Sequence, residues 1–131
     1  MYSDLVQSYY THPVHNSAPN DFTVSHHEGN RVCGDHITVY LTILDNVITD
    51  RGFDGDTSLI TTAASGFFGD LVIWQTVGVV QWRWESIMID EGFDVSSRRR
   101  RARVIALMAT QNAIYQYQQT DKQVSFDTLL K

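Results

Sequence analysis

Cysteine is nearly absent from this chain of 131 residues, since Cys33 is the only one. A single cysteine excludes an internal disulfide, which fits a reducing compartment, so we expect a cytoplasmic protein. It also excludes a metal site that takes several thiolates from one chain. Proline is scarce too, and both prolines lie before residue 20.

Long apolar runs are also missing. The most apolar stretch, residues 57–82, is interrupted by Asp70 and followed by Arg83 and Glu85, whereas a membrane span needs roughly 20 predominantly apolar residues. We therefore expect buried helices there and no membrane association. Residues 1–4 contain neither a basic region nor an apolar run, so we expect no signal peptide. The net charge of −5 makes nucleic acid an unexpected partner.

The length and composition predict one globular domain, residues 1–131, with 43% hydrophobic and 19% charged residues. Within it, residues 36–44 alternate well, with Ile37, Val39, Leu41 and Ile43 on one side and Thr38, Tyr40 and Thr42 on the other, which is typical of a half-buried strand. Asp45 and Asn46 form a two-residue turn to a third strand. The predicted order is a helix at 4–10, strands at 22–27, 36–44 and 47–53, and helices at 58–68, 70–80 and 98–118. This order indicates an α+β fold in which a three-stranded antiparallel sheet packs against helices.

Three segments carry a resemblance to a known family. Residues 2–16 are similar to its opening pattern Y-x-x-(L/I)…H-Y-x-x-P-x-N, with Tyr9 in the place of the usual His and His15 as an extra residue before Asn16. Residues 31–35 match its C-G-D loop, and residues 53–65 look like its F-x-G-x-G-C-x-I-S-x-A-S-A-S stretch. Together the three segments resemble the IscU, NifU and SufU type of iron–sulfur cluster assembly scaffold, in particular its SufU-like branch.

The resemblance implies a metal site of three cysteines and one aspartate, which hold an iron–sulfur cluster or zinc. In this chain Cys33 and Asp35 match the first cysteine and the aspartate. The second cysteine position is Ser58, and the third falls at Val104. A hydroxyl stays protonated near neutral pH and valine binds no metal, so the resemblance predicts a degenerate site at Cys33, Asp35 and Ser58 that does not stably hold a cluster in one chain.

Several interpretations of Cys33 stay open. One of His26, His27 or His36 completes a zinc site with Cys33 and Asp35, or a second chain completes it in a homodimer. Alternatively, Cys33 accepts sulfur from a cysteine desulfurase, as in SufU-like proteins, which needs an exposed thiol of lowered pKa. In the third interpretation the chain is a pseudo-scaffold or regulatory module, which docks on the desulfurase without metal and leaves Cys33 inert. A scaffold or binding protein is expected rather than an enzyme.

Two further sequence features bear on partners and packing. Five of the ten basic residues lie between Arg98 and Arg103, and this run is either a solvated face or a docking surface for an acidic partner. The large aromatic side chains of the second half are expected in the core, with any exposed one marking a dimer surface. They are Phe67, Phe68, Trp74, Trp82 and Trp84.

Overall fold

The computed structural model describes residues 4–29, 34–80 and 100–126. In these ranges the chain forms a short helix, a three-stranded meander and then further helices, as the sequence predicts. The elements are α1 (Asp4–Thr11), β1 (Val24–Gly29), β2 (His36–Leu44), β3 (Val47–Asp56), α2 (Leu59–Val72), α3 (Val77–Val80) and α4 (Arg100–Tyr117). The α+β prediction is confirmed.

The sheet has the order β1-β2-β3, and both neighbouring pairs are antiparallel. The β2–β3 turn uses Asp45 and Asn46 with φ values of 52° and 63°, the left-handed conformation that a two-residue hairpin turn requires. The buried side chains of β2 lie on one face of the sheet and are Ile37, Val39, Leu41 and Ile43, whereas Leu44 at the end of the strand is exposed. Helix α4 packs against β1 and β2, and α2 packs between α4 and α1. The core therefore lies between the inner sheet face and the two long helices.

Helix α2 differs from its prediction in length. The sequence predicted two helices, 58–68 and 70–80, separated at Gly69, but one helix of 14 residues runs through both Gly66 and Gly69 to Val72. These glycines are packing positions: a Cβ on Gly66 would lie 3.3 Å from Val14, and one on Gly69 would lie 2.9 Å from the His15 ring. The absence of side chains there lets the N-terminal segment approach the helix closely.

Helix α2 ends at Val72, and Trp74 lies in the turn that follows it. The prediction that the Trp74 side chain is in the core is wrong. Trp74 is 72% exposed, whereas Phe67 and Phe68 are buried as predicted. Its backbone has φ 74°, and its N–H donates to the Ile48 carbonyl. The backbone of this turn is thus fastened to the β2–β3 hairpin, while the indole points outward. Trp82, Trp84 and Arg98 lie outside the described residues.

One edge of the sheet is covered by the loop that follows α1. The Phe53 N–H donates to the His15 carbonyl at 2.8 Å, and a Cβ added to Gly52 would lie 1.9 Å from the Ser17 carbonyl oxygen. Backbone atoms cannot yield as a flexible side chain can. We therefore expect Gly52→Ala to lower the free energy of unfolding by about 1–3 kcal/mol, the usual cost of overpacking.

Urea unfolding monitored by tryptophan fluorescence measures this effect. Gly78→Ala is the matched control, because a Cβ at Gly78 would meet no heavy atom within 4 Å. Equal midpoints for the two variants would contradict the close approach of the loop to β3.

Within the described ranges, no helix is long and apolar enough to cross a membrane.

Candidate functional site

Asp35 lies immediately before β2, and the alternation of side chains along the strand determines on which face of the sheet its carboxylate lies. Successive side chains of a strand point to opposite faces, so Asp35 shares the inner side with Ile37 while His36 faces outward. Asp35 is 5% exposed, and His36 is exposed. Gly34 precedes it with φ 78°, a conformation that favours glycine. The chain therefore turns at Gly34, and the carboxylate of Asp35 is buried on the inner side of the sheet.

The carboxylate of Asp35 meets the beginning of α2. The Ser58 N–H donates to Asp35 Oδ1 at 2.7 Å, and the Ser58 hydroxyl donates to Oδ2 at 3.0 Å. The Thr61 hydroxyl also donates to Oδ2, at 2.6 Å. A negative charge at a helix N-terminus is favourable because of the helix dipole and the unpaired N–H groups there. Asp35 thus caps α2 from a distant part of the chain, a role that the Ser58 side chain does not perform itself.

The structure therefore brings together two of the three residues predicted for the metal site. Asp35 and Ser58 are in direct contact, and Ser58 is exposed while the carboxylate beside it is buried. Cys33, two residues before Asp35, lies outside the described residues. Val104, the position matched to the third cysteine, is 1% exposed in α4. Its isopropyl group packs in the core and cannot bind a metal.

The histidines near this loop have other partners. His26 Nε2 lies 2.6 Å from Glu28 Oε2, and His27 Nδ1 lies 3.1 Å from the Thr38 hydroxyl. The rings of His27 and His36 are 5.5 Å apart on the outer side of the sheet, the side away from Asp35. Among the described residues, no group of three or more His, Cys, Asp or Glu side chains could hold a metal ion.

Thr61 is the site residue that sequence reasoning missed. It lies three positions after Ser58, so its hydroxyl is on the same side of the first turn of α2 and reaches the same carboxylate. Thr57 and Thr62 form a second hydroxyl pair beside it, with their oxygens 2.7 Å apart. The signal was present as a high density of hydroxyl residues at a helix start, which is where such side chains take part in capping hydrogen bonds.

The N-terminal residues of the family resemblance lie at the other end of α2. The Tyr9 hydroxyl donates to Asp70 Oδ2 at 2.5 Å, and His15 Nε2 lies 2.7 Å from Asp70 Oδ1. Burial and the hydrogen bond to Asp70 together raise the pKa of Tyr9 to about 12. Tyr9, which replaces the usual His, and the extra His15 therefore dock α1 and its loop onto α2.

These features define a class of protein: a three-stranded meander whose first hairpin loop presents a Gly-Asp pair to the start of a helix. The same fold is found in a SufU protein of Fervidobacterium islandicum AW-1, described as an iron–sulfur cluster assembly scaffold protein for the SUF system. The two structures agree with a TM-score of 0.73 at 18% identity, over 86% of this chain and 96% of that one. The N-terminal part of a nitrogen-fixing NifU-like protein from Brucella abortus agrees with a TM-score of 0.71 at 16% identity, over 89% and 94%.

The sequence matches the NifU-like N terminal domain family over residues 1–124, and the chain belongs to that family. It is also 31% identical over 77 residues to the iron–sulfur cluster assembly scaffold protein IscU of Thermotoga maritima. That alignment spans 59% of this chain and 54%, about half, of the relative. The family resemblance deduced from the three segments is thereby confirmed.

Proposed function

We propose that this protein acts in iron–sulfur cluster assembly as a scaffold-related protein of the NifU, IscU and SufU type, with a degenerate metal site. The contact that carries the proposal is that of Asp35 with Ser58 at the start of α2. It joins two positions of the family's ligand set, in a chain that belongs to the family. The similarity to IscU and SufU scaffold proteins supports the same role.

The donor set of one chain does not fit an iron–sulfur cluster. Clusters are held by four ligands that are mostly thiolates, and this chain has one cysteine. The Asp35 carboxylate already accepts three hydrogen bonds from Ser58 and Thr61, which would have to be given up in part for metal binding. We therefore propose that the chain does not hold a complete cluster on its own.

Two activities remain within this proposal. In the first, Cys33 carries sulfur delivered by a cysteine desulfurase in the cytoplasm. In the second, the chain docks on the desulfurase as a pseudo-scaffold and Cys33 is not used. The capping bonds of Asp35 favour the second activity, because they give this carboxylate a structural use that needs no metal.

The test compares the wild-type protein with Cys33→Ala after anaerobic purification. Zinc and iron are measured per chain, and the purified protein is titrated into a cysteine desulfurase assay that records sulfide release. Gly78→Ala serves as the control, because its added Cβ meets no neighbour. For a sulfur carrier we expect stimulation of the desulfurase that Cys33→Ala abolishes, with less than one metal per chain.

The other outcomes separate the alternatives. Desulfurase binding that survives Cys33→Ala, without bound metal, indicates a pseudo-scaffold. One metal per chain that is lost in Cys33→Ala indicates a completed metal site, with a ligand from a histidine or a second chain. No metal and no desulfurase binding at all would refute the proposed role in assembly, although the fold and the family would stand.

A further inference from the structure

Exposed apolar side chains meet where the β2–β3 hairpin turns. Five large apolar side chains are exposed in the described ranges, and three of them lie here: Leu44 is 65% exposed, Trp74 72% and Val79 48%. Leu44 pairs with Val47 across the hairpin, and Val47 forms a bridge with Thr76. Trp74 and Val79 lie within three residues of Thr76, so all three apolar side chains surround the same end of the molecule. We call them the hairpin-end surface.

The backbone that carries Trp74 is held firmly in an unfavourable conformation. Its φ of 74° is rare for a bulky residue. The Trp74 N–H donates to the Ile48 carbonyl at 2.6 Å, and the Ile48 N–H donates to the Gln75 carbonyl at 2.9 Å. Local strain that the surroundings maintain is typical of binding sites, and tryptophan is enriched among the residues that dominate binding energy. The fold thus presents an indole to solvent at a cost in conformational free energy.

The size of this surface bears on what can occupy it. A large aromatic side chain carries about 150–250 Å² of surface, so three side chains exposed to these fractions offer on the order of 400 Å². A patch of this size is often functional in a monomeric protein. It is about half of the ~800 Å² that each partner buries in a standard interface between folded proteins. A short segment of a partner therefore fits it better than a second folded chain.

The charges around the surface define the partner further. Within residues 44–80, the only basic residue is Arg51, which is 0% exposed. The acidic residues of this segment are all exposed, and they are Asp45, Asp50, Asp54, Asp56 and Asp70. Asp45 lies in the turn itself, next to Leu44. Such a field attracts cationic groups and repels anionic ones, and a second copy of this chain would bring the same carboxylates against it.

We propose that the hairpin-end surface binds a short segment of a partner protein that combines apolar side chains with lysine or arginine. The indole of Trp74 and the side chains of Leu44 and Val79 cover the apolar groups of that segment, and Asp45 pairs with its cations. Such binding does not depend on the proposed role in cluster assembly.

Two synthetic peptides test the binding. In one, leucine alternates with lysine, and in the other, leucine alternates with glutamate. Each is titrated into the full-length 15N-labelled chain at physiological ionic strength, where attraction between distant charges is screened. We expect the lysine peptide to shift the NMR signal of the Trp74 indole N–H, which is assigned by its loss in Trp74→Asn. The glutamate peptide should leave that signal unchanged.

Variants separate this surface from other exposed groups. Trp74→Asn should weaken binding of the lysine peptide about tenfold or more, as loss of a central tryptophan does, and Asp45→Asn about two- to fivefold. Phe22→Ser is the matched control, because Phe22 is an aromatic residue that is 45% exposed and packs against Tyr40 instead. Its affinity for the peptide should equal that of the wild type.

The stability of Trp74→Asn provides a second measurement. Asparagine tolerates positive φ, and the exposed indole contributes little packing, so the urea midpoint measured by circular dichroism should not fall below that of the wild type. A clear fall would assign the indole to the fold and overturn the proposal. Equal binding of both peptides, no shift of the Trp74 signal, or an equal loss in Phe22→Ser would also overturn it. A Trp74 signal that moves with protein concentration alone would identify a second copy as the occupant and refute the basic segment.

Discussion

Replacing Arg51 with alanine is expected to lower the free energy of unfolding by about 3–5 kcal/mol, the range for removal of a large, fully buried side chain. Arg51 is 0% exposed on β3 and opposes Leu41 of β2. Its guanidinium donates to the Ser65 carbonyl at 2.8 Å, to the Ser65 hydroxyl at 3.1 Å and to the Thr110 hydroxyl at 3.3 Å. It thereby joins the sheet to both long helices.

The buried charge of Arg51 works against the stability that its packing provides. Burial lowers the pKa of Arg51 to about 9, which means that the fold penalises the charged form. The penalty is offset by the three oxygen acceptors and by the ring of Phe68, whose centroid lies 5.5 Å from the guanidinium carbon. A buried cation in such a place is often replaced by an apolar side chain of similar size with little loss.

Arg51→Met is therefore the informative control for Arg51→Ala. It keeps most of the volume and removes the charge, and one of the acceptors that it leaves behind keeps another bond, since the Thr110 hydroxyl also donates to the Ala106 carbonyl. We expect Arg51→Met to cost less than about 2 kcal/mol. Urea unfolding of both variants measures the difference. Equal losses would show that the hydrogen bonds, rather than the filled volume, hold the layers together.

The strand meander and its turn were predictable because their signals are local. The alternation of residues 36–44 fixes which side chains of β2 are buried, and Asp45-Asn46 is a favourable turn pair at the correct spacing. The predicted helix boundary at Gly69 was wrong because this glycine is a packing position and not a break. The His15 ring of the N-terminal loop packs against it, and that contact is not visible in a local window.

The contacts of the buried polar groups were also not predictable, because their partners are distant in the sequence. Arg51 contacts Thr110 across 59 positions, and Glu28 contacts Asn112 across 84. A charged residue in a strand pattern is ordinarily assigned to the surface, and only the packed layers show that these two are partly or wholly enclosed. The contact of Asp35 with Ser58 could be expected from the family resemblance, which places both positions at one site. Its use as a helix cap, and the part played by Thr61, came from the structure.

The second large effect is expected at Asp35. Asp35→Ala removes the acceptor of three hydrogen bonds and the negative charge at the start of α2, so the free energy of unfolding should fall by about 2–4 kcal/mol. Asp35→Asn keeps an oxygen for the Ser58 N–H and turns an NH2 group toward the two hydroxyls, which can accept it. We expect about half the loss or less for this variant.

Asp56→Ala is the matched control for the Asp35 variants, since it removes an exposed carboxylate two positions before Ser58. Exposed carboxylates contribute little, so its effect should stay within about 0.5 kcal/mol. If Asp35→Ala were as mild as Asp56→Ala, the capping role of Asp35 would be wrong.

The Asp35→Asn variant then separates the effect on stability from the effect on function. An Asp35→Asn protein that folds but no longer stimulates or binds a desulfurase would show that the negative charge serves the assembly role as well. Unchanged desulfurase binding would confine Asp35 to holding the start of α2, the arrangement expected of a pseudo-scaffold.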